Sequence, residues 1–176
     1  MTKIISLDFD GPLTNFRTMM QSGDNRAFDP VAINTLNHLC AATAAKIVCT
    51  SVRTWTDSEP NFRENMALFE EAGLDIRHLH PDWSCRTDQG KRENHIQKWL
   101  TDHPTTKEYV IIDDDMIDLP NFVRIDQMNG ILLAHWEAVA KCLDIDIGDV
   151  FKEAAHKKYN IVEAQMTLPF PDNRFQ

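Results

Sequence analysis

No two cysteines in this chain stand at CxxC spacing: Cys40, Cys49, Cys85 and Cys142 are scattered through it. That dispersal argues against a zinc site or a disulfide framework and reads as core thiols in a reducing cytosol. Apolar runs are short, and none approaches the length that spans a bilayer. No basic stretch followed by an apolar segment precedes the first strand-like run, so the expectation is a cytoplasmic protein with no membrane partner. Positive charge is scarce too, with 18 Lys and Arg against 27 Asp and Glu and a formal net charge of −9. This argues against a broad electrostatic surface for nucleic acid or anionic lipid, although a local basic cleft remains compatible with it. Internal repeats and low-complexity tracts are absent as well.

What is present is enough apolar material for one core. The 176 residues, 43% hydrophobic and 26% charged, suffice for one full domain and are short for two. The most informative segment is Ile4-Ile5-Ser6-Leu7-Asp8-Phe9-Asp10-Gly11-Pro12. Its β-branched start predicts a buried strand, and Gly11-Pro12 ends it with turn chemistry. Side chains alternate along a strand, so Asp8 and Asp10 are expected on one face at the strand exit. Burying two such carboxylates unpaired costs several kcal/mol, and a divalent cation is the natural partner. A Mg²⁺-dependent site at the carboxyl end of a strand is therefore expected.

Further elements alternate along the chain. Residues 15–29 are polar and predict a loop or short hairpin. Asp29-Pro30 predicts a helix start, with Asp as N-cap and Pro in the first turn. Lys46 to Cys49 predicts a second strand ending in Thr50-Ser51, and Asn61 to Ala72 a helix closed by Gly73. Leu74 to Leu79 predicts a third strand, and Pro81 to Gly90 a surface loop containing Trp83, a weak candidate for base stacking. Lys91 to His103 predicts a helix stopped by Pro104, and Tyr109 to Ile112 a strand delivering Asp113-Asp114-Asp115. Phe122 to Ile125 predicts a fifth strand, with helices over 131–143 and 150–159 and an extended end from Thr167. Such alternation implies a parallel sheet with helices on both faces, its strand ends gathered at one edge. Asp8, Asp10, Thr50, Ser51, Asp113 and Asp114 meet there.

Four pieces now stand in order: Asp8-x-Asp10-Gly11, Thr50-Ser51, a helix-opening Lys91 or Arg92, and Asp113-Asp114-Asp115. Together they resemble the haloacid dehalogenase-like (HAD) phosphohydrolase superfamily over roughly residues 3–133. The stretches Ile96-Gln97-x-Trp99-Leu100 and Tyr109-Val110-Ile111-Ile112-Asp113-Asp114-Asp115 are similar to the HAD domain associated with RNA-repair proteins of the Swiss army knife type. Ile47-Val48-Cys49-Thr50-Ser51 is similar to the second motif of 5′(3′)-deoxyribonucleotidases. One departure is Pro12, where the family usually has Thr or Val.

The resemblance implies an α/β, three-layer Rossmann-like fold with about five parallel strands and a minimal or absent cap. It implies a catalytic domain over 1–145, with 146–176 a C-terminal helix and tail packed on or beside it. It also implies a phosphatase working through an aspartyl-phosphate, with Asp8 as nucleophile and Asp10 as acid and base. Asp8, Asp10 (through its carbonyl), Asp113 and Asp114 are the implied Mg²⁺ ligands, and Thr50, Ser51, Lys91 and Arg92 the implied phosphate contacts. Lys91 and Arg92 remain alternatives for the third motif. Arg53 reads as a surface ion-pair residue, and His78, His80 and Asp82 stay outside the site. The expected substrate is a phosphorylated small molecule, such as a mononucleotide, or a nucleic-acid end, with a homo-oligomer compatible with the sequence. The rival readings are a phosphoprotein phosphatase, a phosphotransferase or phosphonatase on the same scaffold, and a catalytically silent binding module.

Overall fold

Ile4, Ile5 and Leu7 are no more than 1% exposed, because the strand that carries them is covered on both faces. A strand in that position reads as a continuous apolar run rather than an alternating one. It is β1 (Thr2–Leu7) in a computed structural model of the chain, which describes residues 2–51, 59–85 and 90–152. After it come α1 (Phe16–Ser22), α2 (Pro30–Thr43), β2 (Lys46–Cys49), α3 (Glu59–Glu71), β3 (Leu79–Ser84), α4 (Arg92–Asp102), β4 (Thr106–Asp113), β5 (Phe122–Arg124) and α5 (Leu133–Cys142). The five strands pair in parallel in the order β3-β2-β1-β4-β5, an α/β Rossmann-like sheet.

The two faces are covered unequally. Ile5, Leu7, Ile47, Val110 and Ile112 point into the larger core, where α2 contributes Leu36 and Leu39, α3 Phe69 and α5 Val139. Ile4, Val48 and Ile111 point the other way, onto Ile96 and Trp99 of α4. Each buried aliphatic chain contributes about 1.5–3 kcal/mol of transfer free energy, so the sheet is fixed mainly from its centre. Leu143 and Val150 join the larger core, so the chain after α5 still packs on the domain as far as it is described.

Three expectations change. The polar stretch after β1 contains a helix, α1, rather than a loop or hairpin alone. Asn15 caps it by accepting from the Thr18 amide at 3.0 Å, and Gly23 closes it at φ +73°. Only Thr18 in α1 is buried, so no apolar stripe betrays the helix.

The third strand lies five residues later than Leu74. Leu74 is core, and Asp75 caps a single 3-10 turn, Ile76–His78, through the Arg77 amide at 3.1 Å. The strand then runs through Pro81, which is tolerated because β3 is an edge strand. Trp83 is therefore not a stacking platform in a surface loop. It is 6% exposed and meets Phe69 edge-on, ring centres 5.8 Å apart. Residues 86–89, Arg53, and the helix and tail expected beyond residue 152 lie outside the described residues.

Candidate active site

The sheet order reverses direction between β1 and β4: β2 and β3 lie on one side of β1, β4 and β5 on the other. At such a switch point the crossovers leave in opposite directions and open a crevice at the carboxyl ends. Leu7 and Ile112 are register partners, and the Asp8 amide continues the ladder to the Ile112 carbonyl at 2.9 Å. Asp8 and Asp113 are thus adjacent because the ladder places them there. On the other side of β1, the Thr50 amide donates to the Leu7 carbonyl at 2.9 Å, which sets Thr50-Ser51 beside Asp8.

Asp8 and Asp113 are 2% and 0% exposed, and Asp114 is half-buried. One carboxylate oxygen from each can be chosen so that all three lie within 4.8 Å of one another. Gly11 makes this crowding feasible. Its φ is +86°, and a Cβ on it would stand 2.6 Å from the Asp114 Cβ, so any side chain would drive the two loops apart.

Arg92 is the residue that answers this charge. Its Nη1 lies 2.6 Å and 2.5 Å from the two Asp113 oxygens and 3.1 Å from Asp8 Oδ2. Burial works against its charge, but the hydrogen bond to Asp113 and the fields of Asp8, Asp113 and Asp115 outweigh it and hold the guanidinium protonated. Lys91, the alternative, is the exposed N-cap residue of α4 and forms no ion pair with the described carboxylates. Burial, with the Asp113 charge adding to it, pushes the Asp8 carboxyl up to about 7, while Arg92, the Phe9 amide and the Ser51 hydroxyl pull the other way. Burial raises Asp113 and Asp114 as well.

Asp10 departs from the simple strand geometry. β1 has ended, and Asp10 sits half-buried in the turn, bridged to Thr14, whose hydroxyl donates to its Oδ1 at 2.8 Å. Pro12 does no harm here: the amides of Gly11, Leu13 and Thr14 around it all find carbonyls, at 2.8–2.9 Å. Thr14 was not among the expected site residues, and its signal was its place four residues after Asp10 across a glycine turn. His80 packs edge-on against Trp99, away from the carboxylates, ring centres 5.0 Å apart.

Does this donor set suit a cation? Three carboxylates and one guanidinium leave a formal charge of −2, which a divalent ion would balance. Asp8 Oδ1 and Thr50 Oγ1 are buried with no hydrogen-bond partner. Buried polar atoms are rarely left so unless something else completes them. The ligands are all oxygen, the chemistry of Mg²⁺ rather than of softer metals. The residues fit.

Fold and acidic edge together define a HAD-like α/β domain of the phosphohydrolase type. The profile of the family described as "HAD domain in Swiss Army Knife RNA repair proteins" matches residues 4–135, three quarters of the chain, and the protein belongs to that family. No curated protein and no solved structure matches it. Among the described residues, no helix is long and apolar enough to cross a membrane.

Proposed function

We propose that the protein is a Mg²⁺-dependent phosphomonoesterase that works through an aspartyl-phosphate, on the phosphate of a nucleotide or a nucleic-acid end. The observation that carries this reading is the unpartnered, buried Oδ1 of Asp8 inside a cluster of three carboxylates drawn from two strand ends. An ordinary structural carboxylate would have its oxygens satisfied; this one is left open to a reacting atom or a cation.

Asp8 attacks phosphorus, forming an O–P bond as the ester P–O bond breaks, and Asp10 gives its proton to the departing oxygen. Asp10 then takes a proton from water. The water oxygen bonds phosphorus, the Asp8–phosphorus bond breaks, and inorganic phosphate leaves. Thr14 holds the Asp10 carboxylate toward this work through its hydroxyl. Thr50, with a free buried hydroxyl, binds a phosphoryl oxygen, and Ser51 holds Asp8. Arg92 neutralises charge on the transferring group, as preorganised donors do in a water-poor site. Asp8, Asp113, Asp114 and the Asp10 carbonyl hold Mg²⁺, which when bound keeps Asp8 ionised and shields it from the phosphate's negative charge.

The preference for a nucleotide or nucleic-acid end rests on the family's association with RNA repair and on how little the described residues between β1 and α2 build over the edge. The described segment between β1 and α2 carries only the seven residues of α1. The test is phosphate release across mononucleotides, 3′- and 5′-phosphorylated oligonucleotides and phosphopeptides, with and without Mg²⁺. Metal-dependent release with water as acceptor, lost in Asp8→Asn, supports the reading. Turnover that survives Asp8→Asn, or its absence on every substrate, overturns it.

A further inference from the structure

Beside Asp10 lies a cavity of about 240 Å³. Phe16 and Met19 of α1 form one wall and Met128 the other, with Asn25 and Gln127 supplying carboxamides and Asp10 at its edge. None of the described residues lining it is basic. Phe16 and Met128 are 44% and 52% exposed, so both offer apolar surface to a molecule in the cavity.

The walls are fixed before anything binds. The amides of Phe16 and Arg17 donate to the carbonyls of Gln127 and Met128 at 3.2 and 3.1 Å, stitching α1 to the turn after β5. That turn is closed by Asp126, whose carbonyl accepts from the Gly130 amide at 2.8 Å and whose carboxylate accepts from the Met128 amide at 2.9 Å. Gly130 has φ +69°, and a Cβ there would come within 2.3 Å of Asn15 Nδ2, so the approach of the two walls depends on glycine. Arg17, the cation of α1, is turned to Asp29. A pocket assembled in this way loses little entropy when it is filled.

We infer that this cavity holds the nucleoside part of the substrate, a neutral planar base with its sugar, whose oxygen Asp10 protonates as it leaves. The inference rests on the phosphomonoesterase reading above and names which side of the phosphate the leaving group occupies. A base offers a π-face to Phe16, polarisable contacts to the two methionine sulfurs, and edge donors and acceptors to Asn25 and Gln127. A lining without a cation among the described residues favours such a neutral group over a second phosphate or an acidic peptide. The volume falls below the roughly 300–1,000 Å³ usual for small-molecule sites, room for one ring and its sugar rather than a longer strand.

Two measurements test it. The first is the ratio of kcat/KM for thymidine 5′-monophosphate to that for glycerol phosphate, which has no ring. Phe16→Ala is expected to lower this ratio about tenfold, the scale of one lost stacking partner, and Phe16→Tyr to keep it. The same loss on a 5′-phosphorylated oligonucleotide assigns the pocket to a terminal nucleoside in either source, and loss on the mononucleotide alone assigns it to free nucleotides. A ratio unmoved by Phe16→Ala overturns the inference. The second is independent of turnover: with ¹³C-methyl methionine, free thymidine should shift the signals of Met19 and Met128 and leave that of Met66 in place. If no substrate is hydrolysed, the phosphomonoesterase reading fails while the methionine shifts still decide the pocket. Unmoved signals overturn it.

Discussion

Asp8 and Asp29 are both buried carboxylates, 2% and 3% exposed, and they are built for opposite ends. Asp29 caps α2, accepting from the amides of Val31 and Ala32 at 2.9 and 3.3 Å, and its second oxygen faces Arg17 and, at 3.5 Å, the Asn15 amide group. Asp8 shares Arg92 with Asp113, faces like charge, and keeps one oxygen without a partner. The first arrangement lowers the energy of the fold. The second sets like charges side by side, which Arg92 offsets in part and a bound cation would offset further. Burial is common to both; the open oxygen beside a like charge is what separates Asp8 and supports the role proposed for it.

Substitution should split the pair. Asp8→Asn is expected to take phosphate release down to background while leaving the metal-free melting temperature unchanged or higher, because it removes repulsion against Asp113. A stability loss without an activity loss would make Asp8 a second Asp29. Gly11→Ala comes next: positive φ and a clash with Asp114 should cost about 3 kcal/mol by denaturant titration and abolish the response to Mg²⁺. Mg²⁺ itself should stabilise the wild type by about 2.7 kcal/mol at a hundredfold excess over its Kd, and Asp113→Asn should remove that gain. An equal gain in the variant would mean that the ion binds elsewhere.

Asp29→Ala should cost about 1–2 kcal/mol, the loss of a helix cap, with hydrolysis of glycerol phosphate by the folded fraction retained. The smallest effect is expected for Thr14→Val, which removes one hydrogen bond from the Asp10 carboxylate: a fall in kcat of about tenfold or less, with KM little changed. A fall as deep as that of Asp8→Asn would mean that Thr14 does more than orient.

How much of this could be read in advance follows the same physics. Asp8, Asp113 and Asp114 were legible as neighbours because each follows an apolar run with the pattern of a central parallel strand, and parallel strands share one carboxyl edge. The choice between Lys91 and Arg92 was not legible. It turns on where α4 takes its first turn, and Lys91, without a side-chain capping bond, gives no signal of being the cap. β3 was misplaced because an edge strand can hold Pro81 and expose it together with Asp82, so its pattern resembles a loop. α1 was hidden because its worth lies in Asn15 and Gly23 at its ends, not in an apolar face. The approach of Gly11 to Asp114 joins residues about a hundred positions apart, a distance that local patterns do not span.

The central strand of this sheet is made early in the chain but gains its β4 neighbour late. Until Thr106–Asp113 docks along Thr2–Leu7, that side of β1 is a bare edge, and its amides invite pairing with other chains. The same docking event assembles the carboxylate cluster, so metal affinity should appear only when the last central strand is home. During refolding, Mg²⁺ uptake by the proposed site would thus report the docking of β4 along β1.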